Sequence, residues 1–583
     1  MNACDWKLNR RQFLGGAACF GAASILAAEP GDRLARIGVM TDTHVEETLE
    51  SCARVKAALQ LFKAKSVEMI INCGDVADYF CPEGYRFYRQ TVNTVYPEVQ
   101  SRPREVFAYA YHDTVDYKDQ PGRHTGLLAA EAFADMRRLL EAPNPPTDSF
   151  VWKGLPFLVF PQATGTPGFL TWEDYAARVD EVCKANPGKP VFVIDHVPPA
   201  GTTFHSWSWG SVACRKALEG HAQVVSLSGH VHGSLACERQ IWQGSFTAIN
   251  FGCLQTWGGF AAGSTPPSQA KENYGVAVMD VYRDRLVVRR YDVRDGSEYG
   301  ADDPWIVPLP FAAKTAPFAR ATQQKRLAKK RPAPAFGPAA KLVTTWSEKG
   351  LELEIPGVAT STRAFYYRLE LARKNARGAW VPFTRDDNFA DFWLAPKDRT
   401  PTSYTLSRAF FQKAGETIRV SVAPIDFFDQ ATKPLTADVV VPHVPKVLSR
   451  VTGETVTFTD TGKPVVRGAD GFFTPPSGQG TAWLPAAMLE HAKPGTPLTL
   501  VLELHTRCPN QDWRGWQVRL EDKTCEAGWM QMPCGDPGVR TYALDFTLGP
   551  TVPKAFGVIF NRHIQSASLR FVSATVYERA ETT

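Results

Sequence analysis

Five short groups in this chain carry the side chains able to hold a metal ion or move a proton. They are Asp42-Thr43-His44, Gly74-Asp75-Val76-Ala77-Asp78, Tyr111-His112-Asp113, Asp195-His196 and Gly229-His230-Val231-His232. Imidazole nitrogen and carboxylate oxygen suit hard and borderline divalent ions such as Mn, Fe and Zn. The spaced pairs Asp42/His44 and His230/His232 can each turn both members toward one cavity. Taken singly, each group has a plainer reading: Gly-Asp commonly makes a turn, and a lone histidine is more often a hydrogen-bonded structural residue than a ligand. Only their convergence in one crevice makes a site.

The elements that must bring them together are legible. From Arg36 to about Pro310, short apolar runs alternate with helical patterns, an α/β signature. Strands are predicted at residues 37–41, 69–73, 106–110, 191–195 and 224–228, and every chemical group stands at or just past the end of one of them. Leu49, Cys52, Val55, Leu59 and Phe62 mark one face of a helix; further helices are predicted over 127–141 and 172–185, the latter stopping before Pro187-Gly188. In an open α/β sheet the strand ends gather distant side chains into one crevice.

The ordered set D-x-H, G-D-x-x-D, H-D, H, G-H-x-H resembles the calcineurin-like metallophosphoesterase family over residues 36–232, with 233–310 matching more loosely. The resemblance implies an α/β domain over residues 32–311, a β-sandwich core flanked by helices. It also implies a centre of two divalent ions, Mn, Fe or Zn. One ion would be held by Asp42, His44, Asp75 and His232, the other by Asp75, His196 and His230, with Asp75 bridging. Two such cations outweigh the two negative charges of Asp42 and Asp75, an excess that favours phosphate. His112 would be the general acid, with Asp113 orienting its ring. Asp78 would hold the Asp75 loop or a ligand imidazole. One departure stands out: the family has Gly-Asn-His-Asp or Gly-Asn-His-Glu where this chain reads Ala110-Tyr111-His112-Asp113. The missing asparagine ordinarily ligates the second metal and touches the phosphate. Tyr111 can ligate as a phenolate, donate a hydrogen bond to phosphate, or turn away and leave an open position.

The expected activity is hydrolysis of phosphate mono- or diesters by a metal-activated hydroxide, on a phosphorylated small-molecule or glycan substrate. The competing reading is a catalytically impaired protein, disabled at Tyr111, that binds glycan or protein through its C-terminal domains.

At 583 residues the chain exceeds one core, and 44% hydrophobic with 21% charged residues describes a globular protein. The net charge of +5 gathers in a basic Ala/Pro-rich linker over 312–340, which excludes a nucleic-acid groove. Asn9-Arg10-Arg11-Gln12-Phe13-Leu14 and the apolar run to Ala28 resemble a twin-arginine export signal over 1–28, implying a periplasmic or extracellular protein. No transmembrane span is expected after it. Alternating runs such as Leu351-Glu352-Leu353-Glu354-Ile355 predict a fibronectin type III or immunoglobulin-like β-sandwich over 341–443 and a jelly-roll-like β-sandwich over 445–583, which would contact a cell surface or polysaccharide. Cys73, Cys183, Cys214 and Cys253 are expected as buried free thiols, and one disulfide is expected among Cys508, Cys525 and Cys534. Pro198-Pro199 stiffens a loop. The stretch Phe204-His205-Ser206-Trp207-Ser208-Trp209 either lines the substrate mouth or packs at a core or domain contact. Asn250 reads as a turn residue, and Trp513, Trp516 and Trp529 read as sandwich core rather than a sugar-stacking face.

Overall fold

A computed structural model describes residues 33–578 apart from 79–80, 114–125, 166–168, 255–273, 310–315, 331, 348–349, 359–363, 391–401, 408–409, 412, 443–445, 477–478, 508–515, 521–528, 533–535, 537, 551–555 and 563–567. The export signal expected over 1–28 and the cysteines Cys508, Cys525 and Cys534 lie outside the described residues, as do Trp513 and the side chains of Trp516 and Trp529.

The N-terminal part is built on strands β1 (Arg33–Met40), β2 (Met69–Asn72), β3 (Arg104–Phe107), β4 (Asp148–Trp152), β5 (Leu155–Val159), β6 (Val191–Ile194), β7 (Val224–Ser228), β8 (Ile241–Gln243), β9 (Thr247–Asn250), β10 (Gly275–Tyr282), β11 (Arg285–Asp292), β12 (Glu298–Tyr299) and β13 (Trp305–Pro308). Among the described residues these form two mixed sheets. One runs β12-β11-β10-β1-β2-β3, with β13 also on β11; the other runs β4-β5-β6-β7-β9-β8. β1, β2 and β3 are parallel, as are β5, β6, β7 and β9.

The two sheets face each other across one apolar cluster, in which Ile37, Val39, Ile71 and Val106 meet Phe157, Phe192, Leu227 and Ile249. Helices α1 (Ala53–Ala64), α2 (Pro82–Val95) and α3 (Gly126–Leu140) cover the outer face of the first sheet, where Met40, Ile70 and Phe107 meet Leu59, Phe62, Tyr88 and Phe133. The second sheet's outer face lies under α4 (Trp172–Ala185) and, beyond the short turn α5 (Ser206–Trp209), α6 (Val212–Leu218). Strands covered on both faces need apolar residues at nearly every position, which is why these read as unbroken runs rather than as alternation. α4 starts on a capping box between Thr171 and Asp174 and stops at Asn186, before Pro187.

The basic stretch expected as a linker holds helix α7 (Arg320–Lys330), and this helix is docked. Leu327 is buried, the Gln323 side-chain amide donates to the Glu238 carbonyl, and Asp303 pairs with both Arg326 and Lys330. Two of its charges, Arg326 and Lys330, meet one specific partner, which composition alone does not disclose.

Beyond it the described strands form antiparallel sheets. Val343–Ser347, Gly350–Ile355 and Thr402–Ser407 make one sheet; Trp380–Phe389, Tyr366–Lys374, Thr417–Ile425 and Leu435–Val440 make another, and the two share a cluster that joins Leu351 and Leu353 to Leu369 and Val420. A second pair follows, with Lys446–Thr452, Ser568–Glu578, Pro497–Arg507 and Val539–Thr547 in its four-stranded member. Its shared cluster joins Leu500 and Val576 to Phe458, Val558 and Phe560.

Asp303 contributes to the docking of α7 as a largely buried carboxylate facing two cations. Asp303→Asn is expected to weaken that docking by about 1–2 kcal/mol, read as roughly tenfold faster amide exchange over residues 320–330. Exchange unchanged from the parent would show that apolar packing alone holds the helix.

Candidate metal centre

The parallel pairing of β1 and β2 continues past the strand ends. The Asp42 N–H donates to the Gly74 carbonyl at 2.9 Å, that of His44 to Asp75 at 3.1 Å, and that of Val45 to Val76 at 3.0 Å. Two loops are thereby zipped side by side, which places Asp42, His44 and Asp75 together. Asp42, His44, Asp75, His230 and His232 all have positive φ, at 50°, 39°, 50°, 71° and 47°. Non-glycine residues adopt this conformation at a cost on the order of 1 kcal/mol or more each, and only where the surroundings enforce it.

Ligand-type atoms of Asp42, His44, Asp75 and His232 lie within 4.8 Å of one another, and so do those of Asp75, His196 and His230. Asp75 belongs to both groups. In the first, Nε2 of His44 and Nε2 of His232 are 3.1 Å apart, and His232 Nε2 is 2.9 Å from Asp42 Oδ1. In the second, His196 Nδ1 lies 2.8 Å from the Cys73 carbonyl, an acceptor only, so a neutral His196 donates there and presents a lone pair at Nε2. That Nε2 faces Asp75 Oδ2 at 3.0 Å yet is buried with no hydrogen bond of ordinary geometry. Imidazole nitrogens that crowd one another and a carboxylate, with one left unsatisfied in the interior, are the donor set a divalent cation completes.

The acids are held from outside. Asp42 accepts from Thr41 Oγ1–H at 2.6 Å and from the His230 N–H at 3.0 Å, and Asp75 Oδ1 accepts from the His112 N–H at 3.1 Å. Burial alone would raise the Asp42 and Asp75 carboxyls; the imidazoles of His232 and His196 outweigh it and hold both below the ordinary range. Burial would lower His196, but Asp75 and Asp42 push it up to about 9. For His230, burial and the neighbouring His196 act together and bring it down to about 3.

The partner of His112 differs from expectation. Its Nδ1 lies 3.1 Å from Asp78 Oδ1, an oxygen that also stands 3.3 Å from His44 Nδ1, so Asp78 orients both rings. Asp113, assigned that task from the sequence, is buried and accepts instead from the backbone of Val76, Ala77 and Ala110 and from Tyr85 Oη–H. Burial and Asp75 push the Asp113 carboxyl up to about 7. Its service is to clamp the Asp75 loop.

Other contributors had no clear signal. Thr41 reads as a strand residue, and Asn250 does more than make a turn: it is buried, donates to the Gly229 carbonyl and accepts from the Gly252 N–H at 3.0 Å. Cys73, Cys183 and Cys214 are buried free thiols, as expected, and Cys253 is buried with its Sγ–H donating to the Asp42 carbonyl. Tyr111 donates its backbone N–H to Gln162 Oε1 at 2.7 Å and sets its ring centroid 6.2 Å from that of His112. Of the two readings open to the stretch from Phe204, packing at a domain contact is seen: Phe204 meets Phe365 of the adjoining β-region at 5.1 Å, and Trp209 meets His230 at 5.8 Å.

Residues 35–234 match the family model for calcineurin-like phosphoesterases. The N-terminal part is a metallophosphoesterase domain. No curated protein matches the chain. Among solved structures, a dimetal phosphatase from Danio rerio is 14% identical, with 48% of this chain and 99% of that one covered at a TM-score of 0.29. A purple acid phosphatase from yellow lupin (Lupinus luteus) seeds is 13% identical over 47% of this chain and 53% of that one, at 0.32. A 5′-nucleotidase precursor from Thermus thermophilus is 16% identical over 50% and 58%, at 0.25.

Two glycines of the metallophosphoesterase domain leave room for the ligands. A Cβ on Gly74, whose φ is 102°, would stand 2.8 Å from His196 Nδ1, and one on Gly229 would stand 2.2 Å from Asp42 Oδ2. Gly229→Ala must therefore displace Asp42 or the His230 loop. Metal affinity, measured by competition with a chelator, is expected to fall at least about tenfold; parent-like affinity would show that the loop yields without disturbing the ligands.

Proposed function

We propose that this chain is an exported metal-dependent hydrolase of phosphate mono- or diesters that works with two divalent cations. The observation that carries the reading is Asp75, common to two ligand groups, one of which holds a buried imidazole nitrogen with no hydrogen bond to satisfy it. Asp42, His44, Asp75 and His232 would hold one ion, and Asp75, His196 and His230 the other. Bound there, the pair supplies positive charge to the phosphoryl oxygens and lowers the pKa of water at the site. The export segment at 1–28, and β-sandwich modules over 341–443 and 445–583 that position the enzyme near its substrate, belong to the same proposal.

The remaining work falls to the chain's own residues. Burial acts against a charged His112, but Asp78 and Asp75 outweigh it and raise its pKa above the usual 6.5. The imidazolium is held at Nδ1 by Asp78, which leaves the Nε2 proton for a leaving oxygen. Thr41 and the His230 N–H fix the Asp42 carboxylate. Asp113 ties the backbone of the Asp75 loop to the Tyr85 hydroxyl.

The metal-loaded chain is expected to hydrolyse both p-nitrophenyl phosphate and β-glycerophosphate, and Asp75→Asn to bring both to background. His112→Ala should cost β-glycerophosphate about 10²–10⁴-fold and p-nitrophenyl phosphate far less, because nitrophenolate departs without a proton. Two bound ions with neither ester turned over, across Mn, Fe and Zn, would overturn the hydrolase reading in favour of a binding protein.

The pH profile gives an independent check. A general acid loses its proton as pH rises, so β-glycerophosphate turnover should decline on the alkaline side through the raised pKa of His112. Asp78→Asn removes the carboxylate whose hydrogen bond does most to raise it, and the decline should move to lower pH. An unmoved alkaline limb would assign the proton to another group.

A further inference from the structure

Aromatic side chains are costly to leave in water, and nearly all that can be described here are buried or half-buried. Among the described residues, the large apolar side chains that stay exposed are valines, one leucine and two aromatics, Tyr111 at 36% and Trp209 at 44%. Each of the two aromatics stands beside a histidine of the candidate site. Tyr111 lies beside His112, at 6.2 Å between ring centroids, and Trp209 lies beside His230, at 5.8 Å. His112 in turn sits against His44, at 4.7 Å, and His230 against His196, at 5.1 Å. The exposed rings therefore flank different ligand groups of one metal centre.

From this placement we infer that Tyr111 and Trp209 form the walls of a leaving-group subsite, and that the preferred substrate is a phosphate ester whose alcohol carries a planar aromatic ring. The inference rests on the hydrolase reading and adds the substrate class to it. Neither wall bears a charge, so phosphate recognition stays with the metal centre and the walls act on the uncharged part of the ester. An aromatic ring has a π-face to offer each wall, and stacking of a base on an aromatic side chain is strong enough to set a preference. Trp209 is held for this task from behind: its N–H donates to the His205 carbonyl at 3.1 Å, Ser206 Oγ–H donates to the Thr203 carbonyl at 2.8 Å, and Phe204 is pinned on Phe365. The same inference accounts for a tyrosine at position 111.

The test compares esters that share a reacting group and differ in the ring. AMP and ribose 5-phosphate carry phosphate on the same primary hydroxyl, and benzyl phosphate and ethyl phosphate, both esters of primary alcohols, bracket a simple aryl group. With the metal-loaded full chain, kcat/KM for AMP should exceed that for ribose 5-phosphate by about tenfold or more. Trp209→Ala and Tyr111→Ala should each lower the AMP value at least tenfold more than the ribose 5-phosphate value, mainly through KM, while Trp209→Phe and Tyr111→Phe restore most of it. A ring effect on benzyl phosphate with none on AMP would assign the subsite to an aryl group rather than a nucleobase. Equal values for the two members of each pair, or variants that depress all esters alike, overturn the inference. Loss of a bound ion in Tyr111→Phe would overturn it in favour of ligation by the phenol. Should no ester be turned over, the hydrolase reading fails separately, and calorimetric titration with AMP and ribose 5-phosphate decides the ring preference on binding alone.

Discussion

Asp42 and Asp75 are buried carboxylates, set among imidazoles whose nitrogens crowd toward them. Such a group is unfavourable in an interior unless charge and lone pairs are matched, and a cation at the shared carboxylate matches both. The rest of the domain can be understood as the means of holding that arrangement against its own cost. Five residues in left-handed backbone geometry, two acids deprived of solvent and two glycines pressed against ligands are all unfavourable locally. They persist because the strands behind them are fixed on both faces by packing that does not yield.

That division explains how the strain is distributed. The parallel ladder between β1 and β2 extends into the loops, so Asp42, His44 and Asp75 inherit their relative positions from the sheet rather than from one another. Asp113 gathers three backbone N–H groups and a tyrosine hydroxyl around one carboxyl, and Asn250 ties the Gly229 loop to the end of β9. These residues never need to meet a ligand. They convert a set of strained turns into a rigid surround, the preorganisation that a site reacting with an anion requires.

The strands and the acid and imidazole groups were readable because each leaves a direct mark in one dimension: buried strands are unbroken apolar runs, and the ligands follow them at fixed spacing. Partner choice leaves no such mark. Asp78 and Asp113 are equally plausible neighbours of His112 by position, and only the path of the loop decides that Asp78 faces the ring while Asp113 turns inward to the backbone. Helix α2 escaped notice because its buried face is made of Tyr85, Tyr88, Arg89 and Val92, polar-tipped residues that blur the apolar period. Helix α7 carries a composition suited to a solvated connector, and what docks it is complementary charge on Asp303 and an amide contact to Glu238, neither of which periodicity records.

The same reasoning bears on what the adjoining β-region is for. Phe365, Tyr366, Ile425 and Phe427 belong to the apolar cluster that fills the space between the two sheets of the metallophosphoesterase domain, and Phe204 is the point at which they reach the loop ending at Trp209. A region merely tethered to the metallophosphoesterase domain would need only a linker and a polar contact. Here the β-region shares a core with that domain, and its Phe365 backs the segment whose other end stands beside His230. Any displacement of the β-region must either open that apolar contact or move the loop, and closely packed interiors resist the first. The position of Trp209 beside His230 is thus a property of both regions together, fixed by a shared core rather than by the candidate ligands alone.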